Sequence, residues 1–330
     1  MVSANASRPT RTAHALRLPI LSLMATLALP VWAADDAHQW LVKMARAGRN
    51  LDYEGTFVYR HDAQLDTLRI VHKVTDGVAH ERLMSLNGVP REIVRDAREV
   101  RSYYPEDNSV VVEQRRADDQ TFPSLLPERV QNLDENYIIQ LGKTGRVAER
   151  PVQQVLVRPR DSYRYGYRLW ADRETGLLLK ADLMDETDRM LEQFMFIQVT
   201  VGGNIPTSAL APQTARSGMV WHRDSSEIAR DVETSWVATR LPKGFELTKQ
   251  MKRELPTRRK AVEHLVYSDG LAAVSVFVEK NEAGNQVTEG ASRTGAVNAY
   301  GRPADGHYVT TVGEVPAATV SLIGDSVTRR

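Results

Sequence analysis

Apolar residues along this chain follow two regimes, a short helical stretch near the start and then a long succession of alternating segments. Ala37, Trp40, Leu41, Met44 and Ala47 recur at helical spacing. That predicts a helix over 36–49 with one buried stripe, capped by Asp35 or Asp36. From Thr56 the period changes to two. Thr56-Phe57-Val58-Tyr59 and Leu68 to Val74 are β-prone runs, the second entering an Asp76-Gly77 turn. Arg82 to Leu86 enters Asn87-Gly88, and Val100 to Tyr104 enters Pro105-Glu106-Asp107-Asn108. Turns of this kind supply the positive φ angles of tight hairpins, so the run reads as an antiparallel meander. It pauses at Thr121 to Val130, where two prolines flank Leu125-Leu126. It resumes through Tyr137-Ile138-Ile139, Val152 to Val157, Tyr165 to Trp170, Leu177 to Leu179 and Phe194 to Ile197. A sheet of about ten or eleven strands with two helical pieces must curl, which gives it a concave apolar face.

Residues 193–215 carry no charge, and Gly202-Gly203-Asn204, Pro206 and Pro212 lie in their second half. This predicts a strand end followed by a linker. The organisation is therefore a leader at 1–33, a mainly β domain at 34–203, a linker at 204–231 and a smaller α+β domain at 232–330. The second domain holds a hairpin from Glu263 to Glu279, folded back through Ser268-Asp269-Gly270, where Asp-Gly supplies the positive φ angles of a tight turn. Its second strand places Ala272, Val274, Val276 and Val278 on one face and Ala273, Ser275 and Phe277 on the other, which predicts that both faces are covered. A further hairpin turns at Asp305-Gly306. A helix starts from Pro316 with Val320, Ile323 and Val327 as its buried face.

The leader is read as a secretory signal. Arg8, Arg11 and Arg17 form a positive region without an acid, Leu18 to Leu29 is apolar, and Val31-Trp32-Ala33 suits cleavage. The apolar run falls short of the roughly 18–20 residues of a spanning helix. Removing the leader turns 43 basic and 42 acidic residues into 40 and 42, so the slight basicity belongs to the signal. A balanced mature charge argues against nucleic acid as a partner. The chain has no cysteine, which excludes disulfides, thiolate metal sites, a cysteine nucleophile and a lipidated cysteine after the signal. Export without an anchor or disulfides points to a bacterial periplasm.

Candidate chemistry is sparse. The eight histidines show no metal-binding spacing. His72 and His80 flank a predicted hairpin and can oppose one another, but two histidines alone make a weak metal site. No nucleophile elbow, Walker or Rossmann pattern occurs. The expectation is a chain that is not an enzyme, has no cofactor and no metal, and works by binding. Phe122, Leu125 and Leu126 are either a plug completing the first core or a lid over the concave face that admits an apolar ligand. Arg115-Arg116, just upstream, either steers an anionic head group or belongs to a solvated loop. Tyr267, Ser268 and Asp269 are candidates for a partner-binding surface, unless Asp269 merely makes the turn.

Several motifs resemble the RseB/MucB family of periplasmic negative regulators of an envelope-stress sigma factor. They are Leu241-Pro242-Lys243-Gly244-Phe245, Glu263 to Glu279, Asn298-Ala299-Tyr300-Gly301, Gly306-His307 and Val312-Gly313-Glu314-Val315-Pro316. Gly55 to Tyr59 and Trp170 to Leu179 in the first domain fit as well. The resemblance implies a LolA/LolB-like curled antiparallel half-barrel with helices in its concave side, followed by a smaller α+β domain. It also implies binding to the periplasmic part of a membrane anti-sigma factor of RseA or MucA type. Such binding shields that factor from regulated proteolysis until lipid or lipopolysaccharide releases the regulator. Homo-oligomers are possible. The rival expectation is a periplasmic lipid or lipoprotein carrier of LolA type.

Overall fold

The computed structural model describes residues 1, 32–115, 133–223, 230–231, 233–255, 260–281 and 289–330. Helix α1 spans Trp32–Asn50. It starts ahead of the predicted 36, because Ala33 and Ala34 are strong helix formers. Its stripe is as the spacing requires: Ala37, Leu41, Met44 and Ala47 are buried, and Trp40 packs at their margin.

Eleven strands follow: β1 (Tyr53–His61), β2 (Gln64–Thr75), β3 (Val78–Ser85), β4 (Glu92–Arg95), β5 (Glu99–Tyr104), β6 (Ser109–Gln114), β7 (Tyr137–Val147), β8 (Arg150–Pro159), β9 (Gly166–Asp172), β10 (Leu178–Met184) and β11 (Met190–Val201). Each pairs antiparallel with its neighbours, in the order β6-β5-β4-β3-β2-β1-β11-β10-β9-β8-β7. The first and last strands of the meander, β1 and β11, thus close on each other at the centre. Asp76 and Gly77 both take positive φ, as does Asn108, which a tight hairpin demands. One face of the sheet is apolar and holds α1. Phe57 is fully buried there, with Phe194 and Phe196 edge-on at 5.0 and 5.7 Å.

The stretch predicted as a linker is fastened to this sheet over most of its length. Thr207–Leu210 forms a 3₁₀ turn. The Lys73 ammonium donates to the Ile205 carbonyl, and Arg82 donates to that of Ala209. The buried Glu92 carboxylate accepts the backbone N–H groups of Gln213 and Thr214 at 2.7–3.0 Å. Strand β12 (Val220–Arg223) then runs parallel to β6 as a twelfth strand. Absence of charge over 193–215 had suggested a linker, whereas the backbone carbonyls and N–H groups of this segment find charged partners across the sheet. Residues 224–229 and 232 lie outside the described part.

The second domain contains β13 (Arg230–Asp231), β14 (Trp236–Ala238), β15 (Glu246–Leu255), β16 (Lys260–Ser268), β17 (Ala273–Lys280), β18 (Gly290–Thr294), β19 (Val297–Ala304), β20 (His307–Gly313), α2 (Ala317–Asp325) and β21 (Val327–Arg329). Its sheet order is β13-β15-β16-β17-β20-β19-β18, with β14 and β21 paired separately. Pro316 is the N-cap of α2. Val320 and Ile323 are buried on that helix, while Val327 is buried from β21.

Two readings of the β16–β17 hairpin need correction. Val274, Val276 and Val278 are buried, but Ala273 is exposed and Ser275 and Phe277 only half-buried, so one face is partly open. The connection is also not a two-residue Asp-Gly turn. Gly270 alone takes a positive φ, +96°. The Asp269 carboxylate instead accepts the N–H groups of Leu271 and Ala272 at 2.9 and 2.7 Å, an Asx-type turn in which the side chain replaces a backbone acceptor.

Candidate functional site

The two domains meet on the loop between β8 and β9, residues 160–165. Arg164 at its tip is fully buried. Its Nε donates to Asp269 Oδ2 at 2.7 Å, Nη1 to the Asp161 carboxylate and Nη2 to the Lys243 carbonyl. The guanidinium also lies 5.6 Å from the Tyr137 ring and 5.1 Å from that of Phe245. Asp269 is equally buried, 0% exposed in its side chain, and takes a fourth bond, beside those from Arg164, Leu271 and Ala272, from the Tyr137 hydroxyl at 2.9 Å. Burial, reinforced by the Asp269 charge, pushes the Tyr137 phenol far above its ordinary range, so it remains a donor. A buried ion pair is tolerable only when its remaining hydrogen-bonding capacity is met. Here both domains contribute to meeting it.

The surroundings are built to the same end. Gly244 has φ +82°, and a Cβ there would sit 2.2 Å from Asn136 Nδ2. Glycine at this position therefore lets the Lys243 carbonyl and Phe245 reach Arg164. Thr319 donates to the Tyr163 carbonyl at 2.6 Å. Asn298 donates to the Tyr165 hydroxyl at 3.0 Å and to the Val315 carbonyl at 2.7 Å. Ala296, Tyr165 and Leu183 form a small apolar cluster beside it. The loop is thus clasped by β16–β17, β19, α2 and the segment before β15.

Two hollows are notable, one within the first domain and one between the domains. A groove of about 790 Å³ runs along α1, lined by Trp40, Val42, Lys43, Arg46, Leu51 and Leu141 among others. Lys43 lies 4.7 Å over the Trp40 ring and donates to the carbonyls of Arg173 and Glu174. A smaller cavity, about 240 Å³, lies between Tyr59, Tyr167, Leu183 and Phe194 of the first domain and Glu314 of the second.

The candidates from sequence are placed as follows. Tyr267 is in the core, and its hydroxyl accepts the Ala238 N–H at 2.8 Å. Ser268 donates to the Ala272 carbonyl at 2.8 Å within the turn. Asp269 both makes the turn and crosses the domain junction. Neither Tyr267 nor Asp269 offers its side chain as a contact surface, because each is spent on internal bonds. Phe122, Leu125, Leu126 and Arg116 lie outside the described residues. Arg115 donates to the carbonyls of Ala79 and Asp96. His72 pairs in register with Glu81, and His80 with Lys73, so the two histidines do not oppose one another. His72 stacks on Tyr53 with ring centroids 4.7 Å apart and hydrogen-bonds the Leu51 carbonyl at 2.8 Å. Burial lowers its pKa. Among the described residues no three acidic or histidine side chains are grouped to hold a metal.

Sequence reasoning missed Arg164, which sits in the polar run Arg160-Asp161-Ser162-Tyr163-Arg164 and reads as solvated. Its partners were visible only as the motifs around Lys243-Gly244-Phe245 and Ser268-Asp269-Gly270. Comparison with known proteins now gives those motifs a context. Residues 36–214 match the MucB/RseB N-terminal domain, and residues 230–328 match the MucB/RseB C-terminal domain. The chain belongs to the MucB/RseB family. Among its relatives, the sigma factor AlgU regulatory protein MucB of Pseudomonas aeruginosa is 35% identical over 315 residues, covering 93% of this chain and 96% of that one. The sigma-E factor regulatory protein RseB of Escherichia coli K12 is 30% identical, covering 87% and 89%. The crystal structure of MucB in complex with MucA(peri) is similar with a TM-score of 0.69 at 32% identity, covering 89% of this chain and 99% of that chain. Motifs that carry this family resemblance, at 241–245, 263–279, 298–301 and 312–316, converge on the domain junction.

Proposed function

We propose that this protein is a periplasmic regulator that binds the periplasmic part of a membrane anti-sigma factor of RseA or MucA type. Binding shields that factor from regulated proteolysis, and lipid or lipopolysaccharide releases it. The observation that carries this reading is the likeness, over nearly the whole mature chain, to MucB seen in complex with MucA(peri). The buried Arg164–Asp269 pair adds a physical reason for two domains. It holds them in one relative placement, so a partner that touches both meets a preorganised surface. On this reading the 268–270 turn acts on the partner through domain placement and not as a contact patch. Among the described residues, the groove along α1 suits an apolar ligand with an anionic head, because Lys43 and Arg46 stand beside Trp40, Leu51 and Leu141.

Two ligands that exclude each other must do so reciprocally. With a typical coupling of about 1–3 kcal/mol, saturating lipopolysaccharide is expected to weaken anti-sigma factor binding roughly 5- to 150-fold. Titration calorimetry of the full chain with the periplasmic segment, with and without lipopolysaccharide, measures this. No binding to the segment in either condition would overturn the regulator reading. Recovery of lipoproteins in its place would favour a carrier.

A further inference from the structure

The smaller cavity, of about 240 Å³, combines aromatic side chains with carboxylates from both domains. Leu183 and Phe194, both buried, form its floor. Tyr59 and Tyr167, each half-buried, line it above them. Glu192 of β11 and Glu314, between β20 and α2, add to the lining from opposite domains. The Tyr59 hydroxyl donates to Glu192 and so fixes its carboxylate. Glu314 is exposed at the mouth, on a backbone held from both sides. A Cβ on Gly313 would lie 2.7 Å from the Ala273 carbonyl oxygen, and Asn298 ties down the Val315 carbonyl at 2.7 Å.

The charge around this cavity is one-sided. No lysine or arginine is among its lining residues. Where the β18–β19 turn of the second domain reaches the first, a Cβ on Gly295 would lie 3.4 Å from Asp62 and 3.6 Å from Glu192. A third carboxylate therefore stands beside Glu192. Arg293 of that turn is engaged by the Gly295 carbonyl. His61, against the Tyr59 ring, pairs with Asp66 at 3.1 Å. Burial raises the phenols of Tyr59 and Tyr167, and the charges of Glu192 and Glu314 push both further up, so the two carboxylates act on the same space. An open, aromatic-lined hollow with such a negative field favours a cation, which it can meet with ring faces and charge-assisted hydrogen bonds. Size narrows the choice. The volume is below the roughly 300–1,000 Å³ of sites that enclose a small-molecule ligand. It suits one side chain and is too small to enclose a lipid.

We propose that this cavity is a docking socket for one lysine or arginine side chain of a peptide segment in another protein. The side chain enters past Glu314, lays its aliphatic stem against Leu183 and Phe194, and brings its charge to Glu192 and Glu314. The two carboxylates belong to different domains, so the socket is complete only in the placement that Arg164 and Asp269 hold. It is defined by its own chemistry, whichever protein supplies the side chain. It therefore stands or falls apart from the anti-sigma factor reading.

The test is a magnetic-resonance titration of the full chain, isotope-labelled at its leucine methyl groups, with capped glycine peptides carrying arginine, lysine, citrulline or norleucine at the centre. The arginine and lysine peptides are expected to shift the Leu183 methyl signals saturably, and more weakly at higher salt. Citrulline and norleucine keep a stem of similar length without the charge and are expected to leave the signals unmoved. Glu192→Gln keeps an acceptor for the Tyr59 hydroxyl, and Glu314→Gln changes an exposed side chain, so both variants should fold. Together they are expected to weaken arginine-peptide binding about ten-fold or more. Equal shifts from norleucine would reduce the cavity to an apolar crevice and overturn the socket. Undiminished arginine binding in the double variant, or no saturable shift with either basic peptide, would overturn it too. Ethanolamine binding while both basic peptides stay silent would overturn the peptide as occupant.

Discussion

Asp269→Ala is expected to lower the unfolding free energy by about 3–5 kcal/mol, the usual result of leaving one member of a buried ion pair without its partner. The Arg164 guanidinium, 0% exposed, would keep Asp161 and the Lys243 carbonyl but lose the carboxylate that ties it to the second domain. Two N–H groups of the hairpin turn and the Tyr137 hydroxyl would lose their acceptor as well. Asp269→Asn separates these contributions, since an amide oxygen can still accept the turn's N–H groups while the charge is gone. Combined with Arg164→Met, it is expected to cost less than the two single changes together, with a coupling of about 1–3 kcal/mol. Urea titration of the four proteins in the cycle gives the value. Strict additivity would mean that the pair does not act as a unit.

The second large effect is expected at Glu92, whose side chain is 0% exposed. It faces Arg82 and accepts bonds from Gln213 N, Thr214 N and the Thr214 hydroxyl. Burial opposes ionisation, but the hydrogen bonds from Thr214, Arg82 and Gln213 outweigh it and hold the carboxyl below its ordinary range. A depressed carboxyl stabilises the fold above its unfolded pKa, and that stabilisation is lost as pH falls through the folded value. The attachment of residues 205–223 to the first sheet should therefore weaken in acid, from about pH 4.5 downward. Glu92→Ala should produce the same release at neutral pH, with a loss of about 3–5 kcal/mol. Hydrogen exchange at Gln213, Thr214 and β12 is the measurement. Unchanged protection in the variant would show that Glu92 is not what fastens the segment.

Much of the fold was legible in the chain because it depends on local period and turn chemistry. The helical stripe Ala37-Leu41-Met44, the Asp76-Gly77 and Asp305-Gly306 turns, and the alternating valines of β17 each follow from neighbours two to four residues apart. Closure of β1 on β11 was not visible, since register between strands some 140 residues apart in sequence leaves no local mark. The attachment of residues 205–223 to the sheet was not visible for a related reason. The groups that Lys73, Arg82 and Glu92 bond in it lie far along the chain from those strands.

The 268–270 turn shows the same division at one site. Ser-Asp-Gly was enough to require a chain reversal, and the family motifs around it were enough to place the protein among its relatives. Whether Asp269 faces solvent, a partner or another domain depends on where Arg164 arrives from more than a hundred residues away. Local sequence determines backbone conformation through short-range sterics and hydrogen bonds. The identity of a buried charge's partner, and hence whether it locks, binds or titrates, is set only when tertiary packing excludes water and brings the second charge into reach.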